Sequence, residues 1–271
     1  MNVAFQGEPG AFSEEACYGY FNSPETVPCE TFDAVFAAVT SGQCAFGLIP
    51  IENSLAGSVH QNYDLLLQND LHIVGEYFLR VRHCLIAFPG VTKLEIRKVI
   101  SHPQALGQCV GFLRSLGVKT EPVYDTAGSV KMLKASGEYT TAAIASHKAA
   151  EIYGMYILQE GIEDNLENYT RFLAIATSPV TPSGEAKTSI VFALKNAPGA
   201  LFKALSVFAL REIDLTKIES RPLAGKPWEY LFYIDFIGSV LEGRVKRALD
   251  HLAEYAPMMR VFGSYQRANI V

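Results

Sequence analysis

Nowhere in the 271 residues is there an unbroken apolar run of about eighteen, the length a membrane-spanning helix needs. The opening MNVAFQGEPG has neither a basic start nor a long apolar stretch. No secretory leader is therefore expected, and a cytoplasmic location is. Cysteine is sparse: Cys17, Cys29, Cys44, Cys84 and Cys109 are scattered, odd in number, and form no C-x-x-C. They read as small buried hydrophobes in a reducing compartment, which excludes a disulfide framework. The six histidines lack metal-ligand spacing. His83 and Cys84 are adjacent, so their side chains should leave opposite faces of a strand, and a purely structural role is the better reading of that pair. No basic stripe with interleaved aromatics occurs, which argues against nucleic acid. The glycine-bearing GEPGAFS of 7–13 lacks a G-K-S/T ending, which argues against a nucleotide loop. Neither a metal nor a cofactor is called for.

What is present is ample core-forming material, 49% hydrophobic against 19% charged, in a chain long enough for two domains. Charge is uneven. Residues 1–180 hold 11 Lys and Arg against 19 Asp and Glu, a net of −8; residues 181–271 hold 12 against 9, a net of +3. An acidic first domain that binds an anion must do so with local donors, since its overall field repels one.

Residues 1–177 alternate short apolar strands with amphipathic helices. Strands are predicted at 2–6, 45–51, 72–81, 83–88, 98–101, 121–124, 141–145 and 171–176. Between them, Val59, Tyr63, Leu66 and Leu67 recur at helical spacing. The alternation predicts an α/β domain with a mostly parallel sheet. TSPVTPSGE (177–185) reads as a linker. Beyond it, Ile190, Phe192 and Leu194 alternate in a strand, Leu201, Leu205 and Phe208 mark a helix, and strands follow near 214–220 and at Tyr230, Phe232, Ile234 and Phe236. A second helix at Leu241, Val245, Leu249 and Leu252 and a last strand near 259–265 complete a β-α-β-β-α-β order, the ferredoxin-like arrangement.

One grammar recurs in the first domain: a strand ends, a polar cluster follows, a helix begins. Ser13 is a candidate N-cap with Glu14 and Glu15 in the first turn, and Pro103 suits the first helical position. Glu52-Asn53-Ser54, His102-Pro103-Gln104, the Asp125–Ser129 run and Ser146-His147 stand at equivalent places. In open α/β sheets the ligand crevice lies beyond the carboxyl ends of the strands, where helix N-termini offer free N–H groups to an anion. Each cluster taken singly is more often a plain cap. Ser101 and His102 as nucleophile and base make a weak triad, because neighbours at a strand end rarely face each other. Thr170-Arg171 is different: no helix begins there, so capping cannot explain it, and an arginine offers a planar fork for a carboxylate.

Taken together, LIPIENS, SHPQALGQC and NYTRF, followed by GALFKAL and ESRP, resemble the prephenate dehydratase family over essentially the full chain. The resemblance implies a catalytic domain over 1–180, built like a type II periplasmic binding protein. Its first lobe would take 1–78 and 158–180 and its second 79–157, with the active site between them. An ACT regulatory domain would occupy 181–271, and no fused chorismate mutase segment is expected. Carried over by motif, the site residues are Glu52, Asn53, Ser54, Ser101, Gln108, Thr170, Arg171 and Phe172. The implied activity is decarboxylating dehydration of prephenate to phenylpyruvate, without cofactor or metal, in L-phenylalanine biosynthesis. Arg171 is expected to hold a substrate carboxylate and Thr170 to assist the leaving hydroxyl. Asn53, Ser101 and Gln108 are expected to orient the substrate, while the proton source stays open between Glu52, Thr170 and a bound water. L-Phenylalanine is the implied effector, at Gly199, Ala200 and Leu201 and at Glu219, Ser220, Arg221 and Pro222. A homodimer or homotetramer follows from the edge-to-edge pairing of such domains. Arogenate dehydratase and a non-catalytic two-lobed amino-acid binder are the alternatives.

Overall fold

The computed structural model describes residues 1–223 and 229–269. The chain begins with β1 (Asn2–Gln6), α1 (Phe12–Tyr20), β2 (Glu25–Cys29), α2 (Phe32–Thr40), β3 (Phe46–Asn53) and β4 (Gly57–Ser58). Next come α3 (His60–Gln68), β5 (His72–Arg80), β6 (Cys84–Ala87), β7 (Lys98–Ser101), α4 (Pro103–Gln108) and α5 (Val110–Leu116). The middle of the chain continues with β8 (Lys119–Pro122), α6 (Thr126–Ser136), β9 (Thr141–Ala145), α7 (His147–Tyr153), β10 (Tyr156–Glu160) and β11 (Tyr169–Ala176). It closes with β12 (Ala186–Leu194), α8 (Ala200–Ala209), β13 (Leu215–Pro222), β14 (Tyr230–Ile237), α9 (Gly243–Tyr255) and β15 (Met258–Gln266).

Three sheets result, ordered β2-β1-β3-β11-β5 with β4 on β3, β10-β6-β9-β7-β8, and β13-β14-β12-β15. The first, drawn from residues 2–58, 72–80 and 169–176, and the second, drawn from 84–160, make two α/β lobes with the helices between their strands. The mostly parallel expectation holds for β1 with β2 and β3 and for β7 with β8 and β9. It fails at the other side of the second sheet, where β6 runs antiparallel to both β9 and β10. Four strands depart from the sequence pattern: the two-residue β4, off the main strand order, and three at sheet edges. β2, β4 and β10 were not expected, and β8 starts two residues early with all four of its residues exposed. An edge strand buries too little for a hydrophobic alternation to show, and the edge is also where Pro28 of β2 is tolerated.

Caps explain several helix starts. Thr31 accepts from Ala34 N at 3.2 Å, Asp125 from Gly128 N at 2.7 Å and Ser146 from Ala149 N at 3.0 Å, each satisfying a donor that the helix itself leaves open. Pro103 occupies the first turn of α4. The expected cap at Ser13 is not made. Ala11 precedes the helix, and the Glu14 carboxylate takes over by accepting Gly10 N at 2.6 Å and Thr26 Oγ1 at 2.7 Å.

By packing, the chain forms two compact units, Met1–Gln68 with Tyr77–Phe172, and Asn69–Glu76 with Leu173–Val271. The linker of 177–185 therefore lies inside the second unit. In that unit the order β-α-β-β-α-β is realised as expected, with every strand pair antiparallel. One face of β12, Ile190, Phe192 and Leu194, packs with Phe208, Leu249 and Leu252 of the helices. Fully burying each such side chain contributes about 1.5–3 kcal/mol. The other face is also buried, polar at Lys187 and Ser189 and apolar at Val191 and Ala193. Lys187 Nζ lies 2.7 Å from Glu76 Oε1, and Ser189 Oγ donates to Asp235 Oδ1 at 2.5 Å. Gly263 of β15 approaches the Ile73 backbone so closely that an added Cβ would meet its carbonyl. These contacts hold Asn69–Glu76 in the second unit.

Among the described residues no helix is long and apolar enough to cross a membrane.

Candidate active site

In the first unit a cavity of about 440 Å³ opens at the carboxyl ends of β1 and β3, facing the starts of α4 and α6. The lobes approach closely beside it. Gly10, at φ +89°, brings its backbone so near Ala149 that a Cβ there would come within 2.6 Å of the Ala149 Cα. Ser146 Oγ donates to Gly10 O at 2.5 Å, and Glu8 binds Lys131 Nζ at 2.9 Å and accepts from Tyr124 Oη at 3.1 Å. Glycine is required at position 10 by both its dihedral angle and this approach.

Of the eight site residues expected from the sequence, the structure brings Asn53, Gln108, Thr170 and Phe172 to the cavity wall. They are joined by a line of hydrogen bonds. Asn53 Nδ2 donates to Thr170 Oγ1 at 3.0 Å and to Asn168 Oδ1 at 2.8 Å. Asn168 Nδ2 donates to Gln108 Oε1 at 3.0 Å, and His83 Nε2 lies 2.8 Å from the same oxygen. Asn53 is itself anchored, because its Oδ1 accepts from Leu55 N at 3.1 Å and Ala56 N at 2.9 Å. Thr170 accepts in this arrangement, so its own O–H proton is not spent on Asn53.

The other four expected residues stand elsewhere. Ser54 supports the wall from outside it: its hydroxyl donates to Glu167 O at 2.8 Å and accepts from Tyr169 N at 2.9 Å. Glu52 is half-buried and sits opposite Ser58 in the β3–β4 pairing, off the cavity. Ser101 is fully buried, donates its hydroxyl to Ile144 O and does not line the cavity. Arg171 is buried and does not line the cavity, whereas its neighbours Thr170 and Phe172 do. Alternation along β11 accounts for this.

Two polar residues of the site were missed. Asn168 is the first letter of NYTRF and fully buried, but nothing in a lone asparagine before a strand marks it. His83 was read as structural. It lines the cavity, packs edge-on against the Phe12 ring at 5.4 Å, and is buried to 2% exposure. Burial pushes its imidazole below the ordinary range, against the Gln108 bond and the Glu163 charge, which pull it up. Asp125 also lines the cavity. Burial raises its carboxyl, although the bond from Gly128 N works the other way. Among the described residues lining the cavity there is no lysine or arginine. An anion there meets neutral donors and the start of α6, at Thr126.

The two α/β lobes, a polar cavity at the strand ends and a ferredoxin-like βαββαβ order in the second unit describe a small-molecule enzyme of two-lobed α/β type. The chain belongs to the prephenate dehydratase family, whose profile, described as prephenate dehydratase, matches residues 3–180. It is 50% identical over 276 residues to arogenate dehydratase/prephenate dehydratase 2, chloroplastic, of Arabidopsis thaliana, covering 98% of this chain and 72% of that one. Among solved structures it resembles the prephenate dehydratase of Arthrobacter aurescens in complex with L-Phe, at TM-score 0.91 and 31% identity over 99% of this chain and 90% of that one. It is also similar to GqqA, described as a novel type of quorum quenching acylase, at TM-score 0.93 and 36% identity over 99% and 98% of the two chains. The relatives named arogenate/prephenate dehydratases are lyases, and this chain is an enzyme of that class.

Proposed function

We propose that this chain converts prephenate to phenylpyruvate in the cavity of the first unit. The carrying observation is the hydrogen-bonded line Thr170–Asn53–Asn168–Gln108 along the wall of that cavity. The reaction takes prephenate dianion and one proton to phenylpyruvate anion, carbon dioxide and water. The ring carboxylate leaves with its bonding pair directed into the ring, the hydroxyl departs protonated, and the ring becomes aromatic. Aromatisation supplies the driving force, so the protein must orient the dianion and assist the hydroxyl. Thr170 is the residue placed to do the second: it donates its free proton as a hydrogen bond to the departing oxygen. Asn53 aligns it and Gln108 orients the substrate from the same wall. Phe172 contributes apolar wall. Arg171 contributes its charge from behind the wall, and Glu52, Ser54 and Ser101 hold the backbone that carries the wall.

Arogenate carries an amine where prephenate carries a keto oxygen, and the same wall serves its ring chemistry equally well. The Arabidopsis relative named for both activities supports keeping arogenate as the second substrate. The acylase description of one neighbour is less well supported here, since Ser101 is committed to Ile144 O and His83 Nε2 to Gln108.

The C-terminal βαββαβ unit we read as an ACT domain that binds L-phenylalanine. The L-Phe complex of the Arthrobacter relative supports this reading. Gly199 caps α8 at φ +76° with open space where a Cβ would stand, so a ligand backbone can approach there, beside Ala200 and Leu201. Glu219, Ser220, Arg221 and Pro222 end β13. Among the described residues β13 is an outer strand of its sheet with one edge unpaired, which supports pairing with a second copy of the chain in a homodimer or homotetramer.

The deciding experiment is phenylpyruvate formation by the purified protein from prephenate and, in parallel, phenylalanine formation from arogenate, each with and without added L-phenylalanine. Turnover of prephenate that falls with L-phenylalanine supports the whole reading. Turnover of arogenate alone moves the substrate, and turnover of neither refutes it. An Arg221→Ala variant should keep uninhibited turnover and lose sensitivity to L-phenylalanine.

A further inference from the structure

A glutamine amide can be turned over, exchanging its oxygen and nitrogen with almost no change of shape, so only its neighbours decide which end it shows to a ligand. For Gln108 that decision can be followed back to the backbone. Leu55 N and Ala56 N can only donate, so the atom of Asn53 that receives them is the oxygen, and the Asn53 nitrogen points the other way. That nitrogen donates to Asn168 Oδ1, which leaves the Asn168 nitrogen to donate to Gln108. The atom of Gln108 receiving it is therefore its oxygen. His83 Nε2 meets the same oxygen at 2.8 Å. A bare ring nitrogen there would set two lone pairs against each other, so Nε2 carries the proton. Nδ1 is then the bare nitrogen of a neutral ring, and it is buried with no hydrogen-bond partner among the described residues. A proton on Nδ1 would be a buried donor with nothing to receive it, which is unfavourable.

We propose that His83 is a positioning residue of the dehydratase site: its Nε2–H and the Asn168 amide together clamp the Gln108 oxygen, so that Gln108 presents its two N–H groups to the substrate. The inference rests on the cavity being the dehydratase site, and it goes beyond that reading by naming a residue the family motifs do not mark. His83 does not touch the reacting atoms in this scheme; it acts through Gln108. The surroundings keep the ring neutral and fixed. Phe12 covers it edge-on, and the His83 backbone N–H donates to Glu163 Oε2 at 2.9 Å. Glu163 is the charged group facing it from the 161–168 segment, and burial outweighs its pull.

The first test uses no turnover. With the histidines labelled with nitrogen-15, the His83 ring of the full-length protein should show a protonated Nε2 and a bare Nδ1 at neutral pH. It should stay neutral through the ordinary imidazole range near pH 6.5. A proton on Nδ1 overturns the proposal. The second test is kinetic. His83→Leu removes the donor and should lower kcat/KM by about tenfold, the worth of one orienting hydrogen bond. His83→Gln places an amide N–H near the Nε2 position and should recover most of that loss. In a Gln108→Ala background His83→Leu should cost nothing further, because its only route to the substrate is gone. Full additivity of the two substitutions, or equal loss in the Leu and Gln variants, refutes the role. If the wild-type protein turns over neither prephenate nor arogenate, the reading of the cavity fails, and the tautomer still decides whether His83 clamps Gln108.

Discussion

Removing the Asn53 side chain should do two measurable things at once. Asn53 is 7% exposed and makes five hydrogen bonds: its nitrogen donates to Asn168 Oδ1, Tyr169 O and Thr170 Oγ1, and its oxygen accepts from Leu55 N and Ala56 N. In Asn53→Ala, water can reach the exposed Leu55 and Ala56, but not readily Asn168, which is fully buried. One buried polar atom left alone costs about 1–3 kcal/mol, so a stability loss of about 2 kcal/mol is expected. In a chain of this size that lowers Tm by roughly 4–8 °C. Turnover should fall further than stability suggests. Thr170 loses the donor that aligns it, and Asn168 no longer has a reason to offer its nitrogen to Gln108; loss of aligned transition-state donors costs about 10²–10³ in kcat. Asn53→Asp sharpens the test. It sets a carboxylate oxygen against Asn168 Oδ1 and Tyr169 O, so the folded state favours the protonated form and the new carboxyl titrates above its unfolded value of about 3.9. The folded state then binds the extra proton. The penalty is present above the folded pKa and is relieved as pH falls through it. Thermal melts of wild type and variant should therefore converge on acidification, while phenylpyruvate assays at neutral pH show the variant inactive. An Asn53→Ala protein with unchanged Tm and kcat within a factor of three (about 0.65 kcal/mol) would show that the line of hydrogen bonds does not organise the site.

Other outcomes follow from the same geometry. Thr170→Val, which keeps shape and removes the hydroxyl, should lower kcat by about 10²–10³ at nearly unchanged KM, and Thr170→Ser should retain most turnover; a silent Val variant would remove Thr170 from the mechanism. Lys187→Met leaves the Glu76 carboxylate, fully buried beside it at 2.7 Å, without its cation, and should cost about 3–5 kcal/mol in denaturant melts. Pairing it with Glu76→Leu should recover most of that loss, and no recovery would mean the pair is held for something other than charge balance. Burial pushes the Cys17 and Cys84 thiols up to about 12, so neither should react with iodoacetamide at pH 8 in the folded protein, and both should react after unfolding. Labelling of either under native conditions would contradict their burial.

Much of the fold was legible because secondary structure is written in local periodicity. The strands at 2–6, 98–101 and 141–145 coincide with β1, β7 and β9, whose apolar runs sit in sheet interiors. Pro103 marked a helix start through its own ring geometry. The βαββαβ order of the C-terminal unit was likewise read from alternating and helical spacing alone. Where that signal is weak, at the edge strands β2, β8 and β10, the reading was absent or displaced. Of the site, the motifs pointed to segments that reach the cavity, while only some of their side chains line it. Arg171 and Thr170 are neighbours in sequence, yet only Thr170 reaches the cavity, since side chains in a strand alternate and the registry of β11 decides which set faces inward. Ser101 lies beside the right helix but spends its hydroxyl on Ile144 O.

The sequence by itself determined the class of the fold, the segments that reach the cavity and the family, because these depend on residue type and spacing over a few turns of chain. Only the tertiary structure decided the polarity of the site. Asn53 meets Thr170 across 117 residues, Asn168 meets Gln108 across 60, and His83 meets Gln108 across 25. Which end of each amide is oxygen and which nitrogen of His83 carries the proton follow from two backbone N–H groups at Leu55 and Ala56, passed along a chain of contacts that no local pattern encodes. A hydrogen bond is directional and short-ranged, so its partners exist only once the lobes have brought them within about 3 Å.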